Sequence, residues 1–173
     1  REGINPDLAL RAATEAQSHI GMATRLATDD AARIRRETSI DLVLGVTTVS
    51  GAVGAAAKLL EIAGEDATAL GERTDQEERD ALLVSLGVGP GGAVPAALRS
   101  QVKTLEDDQK RRKTRTLRDA IDRIMVDVMS VLRDVVMVQV QAGVDPINIS
   151  HGPAIDARAH ATTPEMTVAA LDA

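Results

Sequence analysis

The sequence contains no Phe, Tyr or Trp. Without aromatic faces there is nothing on which nucleobases can stack, which disfavours single-strand binders of the OB or RRM kind. The interior must then be built from Leu, Ile, Val, Met and Ala, whose smaller members permit close approach of helices. Cysteine is absent as well; this removes disulfides, thiol nucleophiles and Cys-ligated zinc, and fits a reducing cytosol. No run approaches the roughly 18 apolar residues of a membrane span, and no charged-then-apolar leader opens the chain. We therefore expect a soluble, cytoplasmic protein with no membrane contact. A surplus of positive charge is also missing. The net charge of −6 argues against a dedicated nucleic-acid binder, which needs a broad excess of Lys and Arg on one face. Any basic function must be local.

What is present is helix. At 173 residues with 44% apolar content, the chain can bury a core. Residues 97–141 hold neither Gly nor Pro. Leu98, Val102 and Leu105 make a short apolar stripe, and Leu117, Ile121, Ile124, Val128, Leu132 and Val135 a longer one, both at helical spacing. Between them lies QKRRKTRTLRDA, where Lys110, Arg111, Arg112, Lys113, Arg115 and Arg118 follow the acidic Glu106, Asp107 and Asp108. This segment predicts one very long helix over 96–142. Its basic cluster is either a solvated face neutralised by the three preceding acids, or a contact for DNA or an acidic partner through Lys110, Arg111, Arg112, Lys113 and Arg115.

Upstream, Asn5-Pro6 signals a first short helix, Ser18 or His19 a second, and Thr28-Asp29-Asp30 a third. Strand and helix readings compete for residues 42–49, which are rich in β-branched side chains; helix is favoured from Val49 on, and the pattern resumes beyond Gly64 to make a long, polar-sided helix. GVGPGGAVP, residues 87–95, reads as a connector. A phosphate-binding loop would need a Lys followed by Ser or Thr at its end, and neither is there. Asp145-Pro146 closes the long helix, the tail to Thr163 reads as loop, and Thr163-Pro164-Glu165 opens a final helix. Starting at Arg1 and ending inside that helix, the chain reads as a fragment. Asp156 and His160 have the i, i+4 spacing of helical metal ligands, yet with so little else converging there a surface pair is favoured. No nucleophile elbow or acid–base pair stands out. The residues predict no catalytic site, no cofactor and no metal.

Two segments resemble the delta-prime subunits of actinobacterial DNA polymerase III. SHIGMATRLATDDAARIRRE, residues 18–37, is similar to the end of their lid domain, where a GHIGxARRLAxDxxAR pattern is usual. Residues 97–138 resemble the LKxLExRQKxRxTRxxRDALDRALVDLxxxYRDVL stretch of their C-terminal domain through Leu105, Glu106, Gln109, Lys110, Arg112, Thr114, Arg115, Arg118, Asp119, Ala120, Asp122, Arg123, Val126, Asp127, Arg133 and Asp134. Leu132 stands where the family has an aromatic. The resemblance implies an all-α chain: the end of a helical lid over 1–37, then a helical-bundle collar domain over 38–173, truncated at its C-terminus.

Implied with it is a function, assembly of the pentameric clamp loader that places the sliding clamp on primed DNA. The partners would be the gamma/tau and delta subunits, with the clamp and primed DNA met indirectly. The collar would be scaffold and not enzyme. Aligning the family's sensor-2 turn with residues 18–23 puts Gly21 where ATP-binding subunits carry an Arg. Charges beside the seam, Arg118, Asp119, Asp122, Asp127, Arg133 and Asp134, are the expected partner-binding residues, setting subunit order by complementarity. Reversing Asp122 and Asp127 to Lys is expected to weaken assembly and leave the fold intact. The competing readings are a free-standing helical adaptor whose basic cluster docks an acidic protein, and an enzyme whose site lies in missing sequence or in the 151–160 tail.

Overall fold

The computed structural model describes residues 3–88 and 95–172, and every regular element among them is helical. In chain order these are α1 (Pro6–Glu15), α2 (Ile20–Thr28), α3 (Asp30–Leu44), α4 (Val49–Ser85), α5 (Arg99–Gln139), α6 (Gly152–Ala161) and α7 (Pro164–Leu171). Single 3₁₀ turns at Ala96–Leu98 and Ile149–His151 lead into α5 and α6. The expected all-α class and very long helix are both present, and α4 is nearly as long as α5. Most of the connector (89–94) and its phosphate-loop reading lie outside the described residues.

Short polar side chains start the helices where the sequence places them. The Asn5 side chain accepts from the Asp7 amide at 2.8 Å, Asp29 from Ala32 at 3.1 Å and Thr163 from Met166 at 3.4 Å. Each satisfies an amide that the first helical turn leaves without a partner. The open choice at Ser18 or His19 resolves to an imidazole cap, with His19 Nδ1 accepting from the Met22 amide at 3.1 Å. Residues 42–49 hold no strand: α3 continues to Leu44 and α4 begins at Val49, where Thr48 Oγ1 accepts from the Gly51 amide at 3.0 Å.

The stops are backbone motifs. Past α4, Val88 N donates to Leu83 O at 2.9 Å and Gly87 N to Val84 O at 3.0 Å, with Gly87 at φ +74°. This is a Schellman closure, whose left-handed residue is cheapest as Gly. Past α5, Ala142 N reaches Met137 O and Gln141 N reaches Val138 O, and the left-handed position is filled by Gln141 at φ +51°. One expectation is corrected here. The tail read as loop up to Thr163 carries α6, because Pro153 sits in the first turn, where a missing amide costs nothing.

The chain divides into two compact units. One comprises Arg1–Leu59 with Ile124–Ala173, the other Leu60–Arg123. α3 runs across residue 37, where the lid was expected to end, without interruption. In the first unit, α1 and α2 bury Ala12, Ala16 and Leu26 together, with Met22, Ala23 and Ala27 against them. A second cluster joins Val135 of α5 to Ile155 and Ala159 of α6, with Leu44 of α3 alongside. Gln139 Nε2 donates to the carbonyls of Ala159 and Thr162 at 3.3 and 3.0 Å, and Arg158 donates to Val46 O at 2.5 Å, tying loose helix ends to α5 and α6. The second unit contains the C-terminal part of α4 and the N-terminal part of α5. Its buried side chains are small or branched: Ile62, Ala63, Ala67, Val88, Val102 and Ala120.

Candidate functional site

α3 buries one face, on which Ala32, Arg36 and Ile40 recur every four residues with Ser39 beside them. A guanidinium in an apolar stripe must be met by acceptors. Arg36 is 6% exposed, and its Nε donates to Asp127 Oδ1 at 3.0 Å and its Nη2 to Asn148 Oδ1 at 2.7 Å. Glu15 Oε2 of α1 lies 3.5 Å from Nη1, and Arg11 Nε holds the other oxygen of that carboxylate at 2.9 Å. Asn148, fully buried, also donates through Nδ2 to Ser130 Oγ at 3.1 Å and to Asp134 Oδ2 at 3.0 Å. Asp134 in turn accepts from the amides of Ile147 and Asn148 at 3.1 and 2.8 Å, and from Arg133 Nη1 at 2.7 Å. The network thus joins α1, α3, α5 and the 145–148 segment, with Arg36 Nη1 meeting Glu15 as an ion pair without a hydrogen bond.

This arrangement changes the reading of three predicted partner-binding residues. Asp134 is 1% exposed and directed inward, where it fixes the backbone of residues 147 and 148. Arg133 braces it and also donates to Asp145 O at 3.1 Å. Asp127 holds Arg36, so reversing it to Lys would set two cations against each other and disturb the fold; the expectation that such a reversal leaves the fold intact is withdrawn for Asp127. The apolar seam shifts accordingly. Ser130, Val131, Asp134 and Val135 are the buried positions of α5 in this unit, while Ile124, Val128 and Leu132 are half-buried.

In the second unit, α5 turns Val102, Leu105, Gln109, Arg112, Thr116 and Ala120 to one side at helical spacing, and from that side Gln109 and Arg112 reach α4. Arg112 donates to Glu78 Oε1 and Asp75 Oδ1, each at 3.0 Å. Gln109 donates to Asp75 O at 2.8 Å, and Arg79 to Glu106 at 2.5 Å. Hydrogen bonds from Arg112 and then Gln109 hold the Glu78 carboxyl below its ordinary value, and the same pairing raises Arg112. The basic cluster is therefore not neutralised as a block by Glu106, Asp107 and Asp108. Glu106 serves Arg79, and Arg112 is taken by acids of α4. Lys110, Lys113, Arg115 and Arg118 are exposed and make no ion pair or hydrogen bond through their side chains among the described residues. Arg111 reaches only Asp108, at 4.0 Å. Asp119 and Asp122 are likewise exposed and without partners among the described residues.

His160 Nδ1 lies 2.7 Å from the carbonyl of Asp156 and not from its carboxylate, so the i, i+4 pair is a helix contact. His151 Nε2 lies 3.3 Å from Asp41. Among the described residues no group of three or more His, Asp or Glu is placed to hold a metal, and no helix is long and apolar enough to cross a membrane. Sequence reasoning missed Arg36 and Asn148. A signal for Arg36 existed, since an Arg midway between Ala32 and Ile40 interrupts an apolar four-residue repeat. Asn148 carried none, because its partners are distant in sequence.

Comparison with known proteins returned no matching family model, no matching curated protein and no matching solved structure.

Proposed function

We propose that this chain is the lid end and collar region of a clamp-loader subunit of the delta-prime kind, a cytoplasmic scaffold that joins the loader ring and carries out no reaction of its own. The reading rests on residues 97–138 and on how their polar positions divide. Glu106, Gln109, Arg112, Asp127, Arg133 and Asp134 are engaged inside the fold. Lys110, Arg115, Arg118, Asp119 and Asp122, from the same resembling pattern, have no such engagement among the described residues. That second group is the single observation carrying the proposal: side-chain types that the pattern specifies and the isolated fold does not use are accounted for by a neighbouring subunit.

The test is reconstitution. The chain is mixed with purified gamma/tau and delta subunits encoded by the same genome and followed by size-exclusion chromatography with light scattering. Co-elution at the mass of a mixed assembly, lost in an Asp119→Lys, Asp122→Lys double variant of unchanged circular dichroism, is the expected result. A chain that elutes alone at every concentration refutes the proposal. The adaptor reading is favoured by the same unneutralised cations, and it requires no loader subunit.

A further inference from the structure

The outward side of α5 in the second unit has a charge order that no internal contact explains. Arg111, Arg115 and Arg118 fall at i, i+4 and i+7 and so share one helix face, opposite the side that Gln109 and Arg112 turn to α4. Lys110 stands at the edge of that face, whereas Lys113 lies on the side turned to α4, where it lines a shallow pocket with Thr68, Gly71, Glu72 and Asp75. Residues 110–118 contain no acid. Acids return immediately at both ends: Asp107 and Asp108 stand one turn before Arg111, and Asp119 and Asp122 one turn after Arg115 and Arg118. All four are exposed.

We propose that this face is a docking site for a short acidic segment of a partner protein, about two helical turns long and bearing basic residues at its ends. Arg111 to Arg118 spans roughly 10 Å at 1.5 Å per residue, about one Debye length at physiological salt. The flanking carboxylates therefore act on anything bound to the cations. A nucleic-acid backbone presents phosphates at every step, and running along the face it meets Asp107, Asp108, Asp119 and Asp122 as like charges. Running across the face, it touches only about three cations, too few for more than weak, salt-sensitive affinity. A helix with carboxylates at i, i+4 and i+7 matches the three guanidiniums, each able to bind a carboxylate through two parallel hydrogen bonds. Basic residues at its ends turn the flanking aspartates from repulsive to attractive and set the register.

The proposal does not depend on the clamp-loader reading, and its test uses this chain alone. Fluorescence anisotropy is measured at about 150 mM salt with three probes. The first is a labelled helical peptide bearing Glu at i, i+4 and i+7 between Lys-rich ends, the second is the same peptide with Glu-rich ends, and the third is a 20-base-pair DNA duplex. We expect the Lys-ended peptide to bind at least tenfold tighter than either of the others. Arg115→Glu with Arg118→Glu should abolish that binding with circular dichroism unchanged. Asp107→Lys with Asp108→Lys should weaken the Lys-ended peptide about threefold and strengthen the duplex. Duplex binding as tight as the peptide's, or peptide binding that is absent or indifferent to the Arg115 and Arg118 reversals, overturns the proposal.

Discussion

The two units are held together by different physics. In the first, cross-links are buried: Arg36, Asn148 and Asp134 are each under a tenth exposed, and each contact is made where water does not compete. In the second, the cross-links between α4 and α5 sit in solvent, with Arg112 and Glu78 side chains 45% and 35% exposed. Exposed pairs gain little over hydration and are screened by salt, whereas a buried charge stripped of its partner is strongly penalised. Polar residues therefore specify the first unit's geometry, while the second rests on helix propensity, small buried side chains and register-setting surface pairs. In the first unit the buried charges are consumed internally. The other leaves a row of exposed charges free among the described residues.

The largest expected effect is in the first unit. Arg36→Ala strands Asp127, Glu15 and Asn148 and should cost about 3–5 kcal/mol in urea denaturation, with amides of α1 and α3 losing hydrogen-exchange protection. A cost under about 1 kcal/mol would erase the contrast between the units. Asn148→Ala comes next, at about 1–3 kcal/mol, since it leaves Arg36 Nη2 and a lone pair of Asp134 without partners.

In the second unit the expected change is smaller and opposite in sign. Gly64 lies inside α4 with no atom within 4 Å of where a Cβ would go, so Gly64→Ala should stabilise by about 0.5–1 kcal/mol through backbone entropy. Destabilisation there would mean that packing, not propensity, governs this stretch. Smallest is the acid response of the Arg112–Glu78 pair. Glu78 is lowered in the fold by Arg112 first and Gln109 second, so its contribution is present above the ordinary carboxylate range of about 4.3. It is lost as pH falls through the lowered value. The stability gap between the wild type and Glu78→Gln should stay constant from pH 8 to 6 and close on acidification to pH 3; a gap that persists unchanged at pH 3 sinks the assignment.

Much of the helical layout was legible in the residues. Asn5, Asp29 and Thr163 marked helix starts because a cap is a local event between a side chain and an amide two or three positions on. The long α5 was legible because nothing in it breaks a helix. The tail up to Thr163 reads as loop in the sequence, yet Pro153 in the first turn of α6 is a start signal. The candidate site was only half legible. A basic run is visible in the sequence, but which of its members point outward is not, and α4 takes Arg112 while leaving Arg115 and Arg118.

Periodicity, caps and breakers act over at most a few turns, so they specified helices and the existence of a basic segment before any fold was known. Whether a given charge is internal glue or open surface depends on residues far along the chain. Arg36 finds Asn148 across 112 positions, and Arg112 finds Asp75 across 37. Such pairings arise when packing brings elements together, and that is why Asp134 became part of the interior while Asp122 stayed in water.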